Sequence, residues 1–376
     1  MLLEALQAFD FRNLEQVSLH PSPHATVVVG SNGQGKTNLL ESIYFLCTLR
    51  PLRANRLSEL VRFGAALAEV RGRFALGGAA REISVEVAAG FRQVFVDGKK
   101  AGRLEDYFGG VSVVAFTPDD LAVVKGAPEM RRAFLDRAVF NRFPTYLREH
   151  RAYQRALKHR NRLLKDQAPA DYVSAYDATL ARTGARVLIR RRALLAEMAP
   201  RALAAVRAIS RLPEVEFDYA ALHLGATGEQ SEEALESALR QALLARLGRD
   251  RERGFTSVGP HADDLALTLG GRSARAYASQ GQSRALVLGW KIAEIDNVRV
   301  AFGRPPLLLL DDVSSELDPE RNAFLMHTLA ASGAQAMLTT TDPALVARAA
   351  GPDTRWLRVD AGRVSEDLGL RPVRSA

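Results

Sequence analysis

The chain has 376 residues, 47% of them hydrophobic and 25% charged, which is long enough for two domains around a large core and matches the composition of a soluble globular protein. Cys47 is the only cysteine, so one chain can build neither a disulfide framework nor a thiolate zinc site, and no apolar run approaches the length of a membrane span. The 51 Lys and Arg against 43 Asp and Glu leave a net charge of +8, and 20 basic against 7 acidic residues fall between positions 125 and 211, a bias toward a polyanionic partner concentrated in the middle of the chain.

The N-terminus, MLLEALQAFDFRN, carries acids where a secretory signal needs a basic region followed by an uninterrupted apolar one, so a cytoplasmic protein with no membrane partner is expected. Residues 1–120 read as strands and turns. The β-rich runs 69–74, 82–87, 93–96 and 111–116 are punctuated by Gly77-Gly78, Gly90, Asp97-Gly98 and Gly109-Gly110, with Asp97-Gly98 a hairpin signal. Earlier, the β-branched run 25–29 predicts a buried strand, and residues 37–49 carry apolar side chains at helical spacing. Between them, Gly30-Ser31-Asn32-Gly33-Gln34-Gly35-Lys36-Thr37, followed by Asn38, matches the phosphate-binding loop G-x-x-x-x-G-K-[ST]. In that context backbone N–H groups and the helix N-terminus surround an anion, Lys36 reaches the outer phosphates and the Thr37 hydroxyl takes a place on Mg²⁺. A nucleoside triphosphate is the implied ligand. Cys47 falls on the apolar side of this helix and reads as a core thiol.

From about residue 128 the apolar period changes to 3.6, predicting helices at 131–141, 146–164, 170–198 and 200–209 that form a basic helical block. A strand at 214–219 and an amphipathic helix at 231–247, opened by Ser231 and acids, follow. After Gly254 come strands and glycine turns, an apolar helix from 282 to about 300, and strands at 307–310, 336–339 and 356–359. No sustained heptads of a long coiled coil occur between 120 and 250.

The strand 307–310 ends on Asp311-Asp312, the acidic strand end that a phosphate loop needs: Asp311 near the metal, Asp312 able to polarise an attacking water. From Lys36 to Asp311 is 275 residues, which marks a head interrupted by a large insertion. Ser279-Gln280-Gly281-Gln282 at a helix start presents a hydroxyl, N–H groups and a positive dipole end, a second anion site. His261, within Gly259-Pro260-His261-Ala262-Asp263-Asp264, fits either a metal site or, preferably, a structural turn. The cationic helices read as a DNA contact or as a solvated face, with Arg190, Arg191 and Arg192 a cluster that cannot share one helical face. Arg53 and Arg56, in the loop after the first helix, are candidates to approach the nucleotide.

Ser279 to Gln282 resembles the signature motif of ABC-type ATPases, and Ser315-Glu316-Leu317-Asp318 their D-loop. FRN at 11–13, GSNGQGKTNLLESIYFL at 30–46, FTPDDLAVVKGAPEMRRAFLD at 116–136, LKHRNRLLK at 157–165, GFTSVGPHADDL at 254–265, ASQGQSR at 278–284 and LLLLDDVSSELDPERN at 307–322 are similar to the RecF family, so that the resemblance covers the chain to about residue 342. The resemblance implies an α/β, ABC-type P-loop ATPase head, a mixed sheet with flanking helices, split into 1–122 and 253–376 by an inserted, mostly helical lobe at 123–252, with no long coiled coil. It implies ATP and Mg²⁺ as cofactors, an ATP-dependent homodimer on double-stranded, gapped or junction DNA, weak DNA-dependent ATPase activity, and action with RecR and RecO in loading RecA. Carried over by position, Lys36 and Thr37 hold phosphate and Mg²⁺, Asp311 the metal, Asp312 the water, and Ser279 the γ-phosphate of the partner subunit's ATP. Transporters have Glu where this chain has Asp312 and His where it has Thr341, departures that imply slow turnover. FTPDD at 116–120 stands where a Q-loop is expected, without a Gln. The rival readings are a transporter's ATP-binding subunit, whose helical insertions are short, a Rad50- or SMC-like protein, whose long arms are absent, and a nucleotide switch with negligible catalysis.

Overall fold

The computed structural model describes residues 1–54, 56–102, 107, 111–210, 212, 214–221, 231–347, 350–367 and 369; the turn expected at Gly109-Gly110 lies outside them. In chain order the strands and longer helices are β1 Leu2–Phe11, β2 Leu14–Leu19, β3 Ala25–Val29, α1 Lys36–Thr48, β4 Ala68–Leu76, β5 Ala79–Ala88, β6 Phe91–Val96, β7 Lys99–Lys100, β8 Val113–Phe116, α2 Pro128–Arg142, α3 Tyr146–Lys165, α4 Ala170–Ile209, β9 Val215–Ala220, α5 Glu232–Arg253, β10 Asp264–Leu269, β11 Arg272–Ser273, α6 Gln280–Phe302, β12 Leu307–Asp311, α7 Pro319–Ala331, β13 Ala336–Thr340, β14 Arg355–Asp360 and β15 Arg363–Glu366. They cluster into two compact units, Met1–Leu121 with Glu294–Ala376, and Ala122–Ala293.

The first unit holds two six-stranded sheets. One has the order β15-β14-β3-β13-β12-β8 and is parallel except for β15. Every residue of β8, β12 and β13 is buried, and these strands are mostly apolar runs, as expected for parallel strands covered on both faces. The other, β2-β1-β4-β5-β6-β7, is antiparallel and alternates: Ala68, Val70 and Phe74 of β4 are buried while Glu69, Arg71 and Arg73 point outward. Asp97-Gly98 makes the expected two-residue turn between β6 and β7, both residues left-handed with φ of 50° and 74°. Helix α1 contacts strands of both sheets, so it is buried nearly all round rather than along one stripe. Cys47 is buried there, and burial pushes its thiol pKa up, the mark of an inert core cysteine.

The second unit carries α2 to α5, the sheet β11-β10-β9, and the start of α6. Two features depart from the sequence reading. The helices expected at 170–198 and 200–209 are one helix, α4, running through Pro200. Proline deletes one ladder hydrogen bond and strains the preceding turn, but Met198, Ala202 and Val206, on one face spanning the break, are fully buried, and that burial outweighs the local cost. Residues 253–293, expected with the head, group with the helical unit because β10 pairs along its whole length with β9, and Trp290 packs its ring on Phe134 and Phe217 at 5.7 and 5.5 Å. A strand pairing across more than forty residues leaves no local trace in sequence.

Candidate functional site

The phosphate-loop sequence connects β3 to α1, and its glycines do what the pattern requires. Gly35 caps the helix with φ 116°, and a Cβ there would sit 2.8 Å from Asn13 Oδ1. Asn13 in turn donates to the Gln34 carbonyl at 3.1 Å and accepts from Asn38 Nδ2 at 2.7 Å. On the loop's other side, the left-handed turn Ala361-Gly362 between β14 and β15 donates to Gln34, Gly362 N to its carbonyl at 2.8 Å and Ala361 N to its Oε1 at 2.6 Å. The loop is therefore held from both flanks through Gln34, whose side chain faces that turn.

Lys36 is buried, and its ammonium donates to the Gly30 and Ser31 carbonyls at 2.8 and 3.0 Å. Burial lowers its pKa from the usual lysine range, while Asp312 and Asp311 pull it back up. Thr37 donates from Oγ1 to Asp311 Oδ1 at 2.7 Å, and Thr339 on the neighbouring strand donates to the same oxygen at 2.9 Å. The other oxygen, Oδ2, is buried and lies 2.9 Å from the Arg53 guanidinium, an ion pair whose angles do not make a hydrogen bond. Arg53 is placed by Glu41, a buried acid of α1 whose Oε1 accepts from the backbone N–H of Leu52 and Arg53, both at 2.9 Å, and whose Oε2 pairs with Arg12 at 2.8 Å. Asp312 is left-handed, with φ 50°, a strained conformation for a non-glycine residue that its N–H holds by donating to Thr339. Burial raises its carboxyl pKa, against the Ser315 hydrogen bond and the Lys36 charge.

Asn32, Gly33, Gly35, Lys36, Thr37, Asn38, Arg53, Pro118, Asp311 and Asp312 line one cleft of about 380 Å³. Gly30, Ser31 and Gln34 support the loop without lining it. Pro118 is the part of FTPDD that reaches the cleft, since Asp120 is buried accepting from the Thr117 N–H at 3.0 Å. Arg53 lines the cleft and Arg56 does not. A more apolar cavity, with Met326, Leu329 and Val346 in its wall, has no Lys or Arg among its described lining residues and is unsuited to phosphate.

In the second unit the Ser279 turn is a reciprocal capping box. Ser279 N donates to Gln282 Oε1 at 2.8 Å, and Gln282 N donates to Ser279 Oγ at 3.2 Å. Ser279 and Gln280 are exposed, Gly281 and Gln282 partly so. His261 is a structural turn residue: its Nδ1 meets the Tyr153 hydroxyl at 2.5 Å, its Nε2 the Thr256 carbonyl at 2.9 Å, and burial lowers its pKa, keeping it neutral. The cation cluster divides. Arg191 is buried in a bidentate pair with Asp136 at 2.8 and 2.9 Å and also bonds the Tyr219 hydroxyl and Pro260 carbonyl, so it belongs to the core and to no DNA surface. Arg160 is likewise buried, between Asp177 and Asp250 at 2.8 Å each. Arg190 is half-exposed, pairing with Glu149 at 3.1 Å, and Arg192 is half-buried. A stripe of cations runs along α3, spaced alternately three and four residues apart: Arg148, Arg155, Lys158 and Arg162 are exposed and Arg151 is half-buried.

Sequence reading missed Asn13, Glu41, Thr339 and the Ala361-Gly362 turn. Asn13 stood in the FRN block and Glu41 was a charge inside an apolar helix, the two signals that could have found them.

A family model, the RecF/RecN/SMC N terminal domain, matches residues 2–360. The chain is 66% identical over 377 residues to the DNA replication and repair protein RecF of Myxococcus xanthus (strain DK1622), covering 99% of both, and 40% identical to that of Geobacter sp. (strain M21), covering 97% of this chain and 100% of the relative. A solved structure of the recombination mediator protein RecF with ATP, from the RecFOR pathway, superposes with a TM-score of 0.85 at 28% identity over 97% of each chain. An SMC head bound to the C-terminal winged-helix domain of ScpA, with a TM-score of 0.55 at 14% identity, shares the fold alone. The ABC-type head fold expected from the motifs is thus present, and with relatives matched from end to end the chain belongs to the RecF family.

Proposed function

We propose that the chain is an ATP-dependent DNA-binding protein of recombinational repair and replication-fork maintenance, which engages double-stranded, gapped or junction DNA as an ATP-bound homodimer, hydrolyses ATP slowly, and promotes RecA loading with RecO and RecR. One observation carries the nucleotide part: Lys36, Thr37, Asp311 and Asp312, up to 276 residues apart in sequence, converge on one cleft. The names of the relatives support the repair role, and the ATP in the RecF structure supports the ligand.

The donor set fits Mg²⁺. Asp311 carries its Oδ1 on the Thr37 hydroxyl and its buried Oδ2 against a cation, the Arg53 guanidinium, and no cluster of three or more His, Cys, Asp or Glu among the described residues could hold an ion unaided, which suits a cation shared with phosphate oxygens. Thr37 and Asp311 would hold the ion, which supplies charge neutralisation to the phosphates. Lys36, whose ammonium rests on the Gly30 and Ser31 carbonyls, would move it onto the outer phosphates of a bound nucleotide and stabilise charge there. Asp312, with its pKa raised, is the base that takes a proton from an attacking water, and its presence favours hydrolysis over a pure switch. In the second unit, Ser279 Oγ accepts from Gln282 N, which leaves its hydroxyl proton to donate to an anion. With one phosphate loop and one signature turn per chain, a two-fold pair in which each Ser279 faces the partner's γ-phosphate completes both sites. The α3 cation stripe offers phosphate contacts whose strength falls with salt.

The test is mass measurement with ATP and with ADP, alongside Lys36→Ala and Ser279→Arg. ATP alone should produce the dimer; Lys36→Ala should lose nucleotide binding while staying folded. Ser279→Arg should bind ATP as a monomer and lose dimerisation, hydrolysis and tight DNA binding together. A persistent monomer in ATP, or full activity of Ser279→Arg, refutes the arrangement.

A further inference from the structure

Helices α3 and α4 run antiparallel, since Glu149 pairs with Arg190 and Arg160 with Asp177. That register sets His159 opposite Tyr176, and the two rings stack with centroids 6.0 Å apart and planes at 14°. Tyr172 follows the same face of α4, one turn toward the hairpin tip. Tyr172 is 67% exposed and Tyr176 39%, an aromatic surface left in water. Buried tyrosines fill cores; two on one exposed face mark a binding surface.

The charge around these rings says what covers them. On α3, Arg155 and Arg162 lie four residues before and three after His159, with Lys158 and Lys165 beside them, and all four are exposed. Arg162 is 82% exposed, and its ion pair with Asp166 is long, at 3.6 Å, and exposed on both sides, so it holds the guanidinium only weakly. Asp166 and Asp171 are the two acids at the tip. A cationic rim around aromatic faces is complementary to a phosphate backbone carrying flat bases.

We infer that the α3–α4 hairpin tip, built from His159, Tyr176 and Tyr172 with Arg155 and Arg162, is a stacking site for unpaired DNA bases. The inference rests on the DNA-binding reading above. The cation stripe along α3 contacts phosphate whatever the pairing state, whereas ring faces are reached only by a base free of its partner. The tip therefore distinguishes gapped from continuous duplex.

The full chain with ATP is titrated against a fluorescent blunt duplex and the same duplex with a short single-stranded gap carrying 2-aminopurine. Tyr172→Ala with Tyr176→Ala should weaken gapped-DNA binding by at least about fivefold, leave duplex affinity and its salt dependence unchanged, and relieve the quenching that stacking imposes on 2-aminopurine. Tyr172→Phe with Tyr176→Phe should restore both, because phenylalanine stacks. Equal affinity of the alanine variant for gapped DNA overturns the inference, as does an equal loss on both DNAs; if that variant instead loses only capture of a protein partner, the tip is a protein-docking surface and the inference also falls. A wild-type chain that binds neither DNA refutes the DNA-binding reading itself.

Discussion

Replacing Arg191 by alanine separates a core ion pair from a DNA contact, because the two roles predict opposite readouts. Arg191 is 2% exposed and donates twice to Asp136, a carboxylate 7% exposed that also accepts from Tyr146 at 2.6 Å. Burial opposes ionisation of Asp136, yet Arg191 holds its pKa below the usual carboxylate range. Removing the guanidinium leaves that charge buried with only Tyr146 and His150 near it, an uncompensated charge that costs about 3–5 kcal/mol. For a unit of this size about 1 kcal/mol moves the melting midpoint about 2–4 °C, so the Ala122–Ala293 unit should melt about 6–20 °C lower. Arg190→Ala removes a half-exposed pair with Glu149 and a ring contact with Phe143, about 1 kcal/mol or less after solvent screening, and should shift melting by a few degrees at most. The assay is a thermal melt read together with hydrogen exchange at α4, which resolves the two units, plus the salt dependence of DNA affinity for protein still folded. An Arg191→Ala protein that melts like the wild type, or that stays folded while the salt slope of DNA binding drops, refutes the core assignment.

Asp312→Asn keeps the shape of the side chain and removes its basicity, so it should bind ATP normally and turn over about 10²-fold or more slowly; undiminished turnover in a single-turnover assay moves the proton-accepting role elsewhere. Gly362→Ala would place a Cβ 2.2 Å from the Asn13 carbonyl oxygen at a φ of 81°, forcing the turn off Gln34, so ATP affinity should fall several-fold with the helical unit's melt unchanged; unaltered affinity by titration calorimetry would show the flank to be dispensable. Asp263 is buried beside Tyr219, and burial raises its pKa to about 6. A carboxyl whose folded pKa lies above its unfolded value binds more protons when folded, so stability falls as pH rises from about 4 to about 6, on the order of 2–3 kcal/mol. Asp263→Asn should flatten that dependence and melt higher than the wild type at pH 7.5; a steeper profile in the variant contradicts the sign.

The features legible in the sequence are those set by a few adjacent residues. The phosphate loop needs glycines where the backbone turns left-handed, the strand LLLL-Asp-Asp needs apolar residues on both faces, and Asp97-Gly98 needs two positive φ values; each is written within eight positions, and each stands where it was expected. The family resemblance was legible for the same reason, as blocks of such local patterns in order.

Tertiary structure decided everything that depends on which distant residue lies opposite. Neighbours on a helix are turned about 100° from each other, so periodicity could say that Arg190, Arg191 and Arg192 point different ways but not which meets an acid. Asp136, 55 residues away, is what makes Arg191 a core residue and removes it from the DNA surface. In the same way the partner that keeps Asp311 oriented is Thr339 on the adjacent strand, the clamp on the loop comes from Asn13 and Gly362 at opposite ends of the chain, and a buried face carries α4 through Pro200. Sequence determines backbone preference and amphipathic period over one or two turns; pairing free energy is spread over contacts hundreds of residues apart, and only the folded chain brings those contacts together.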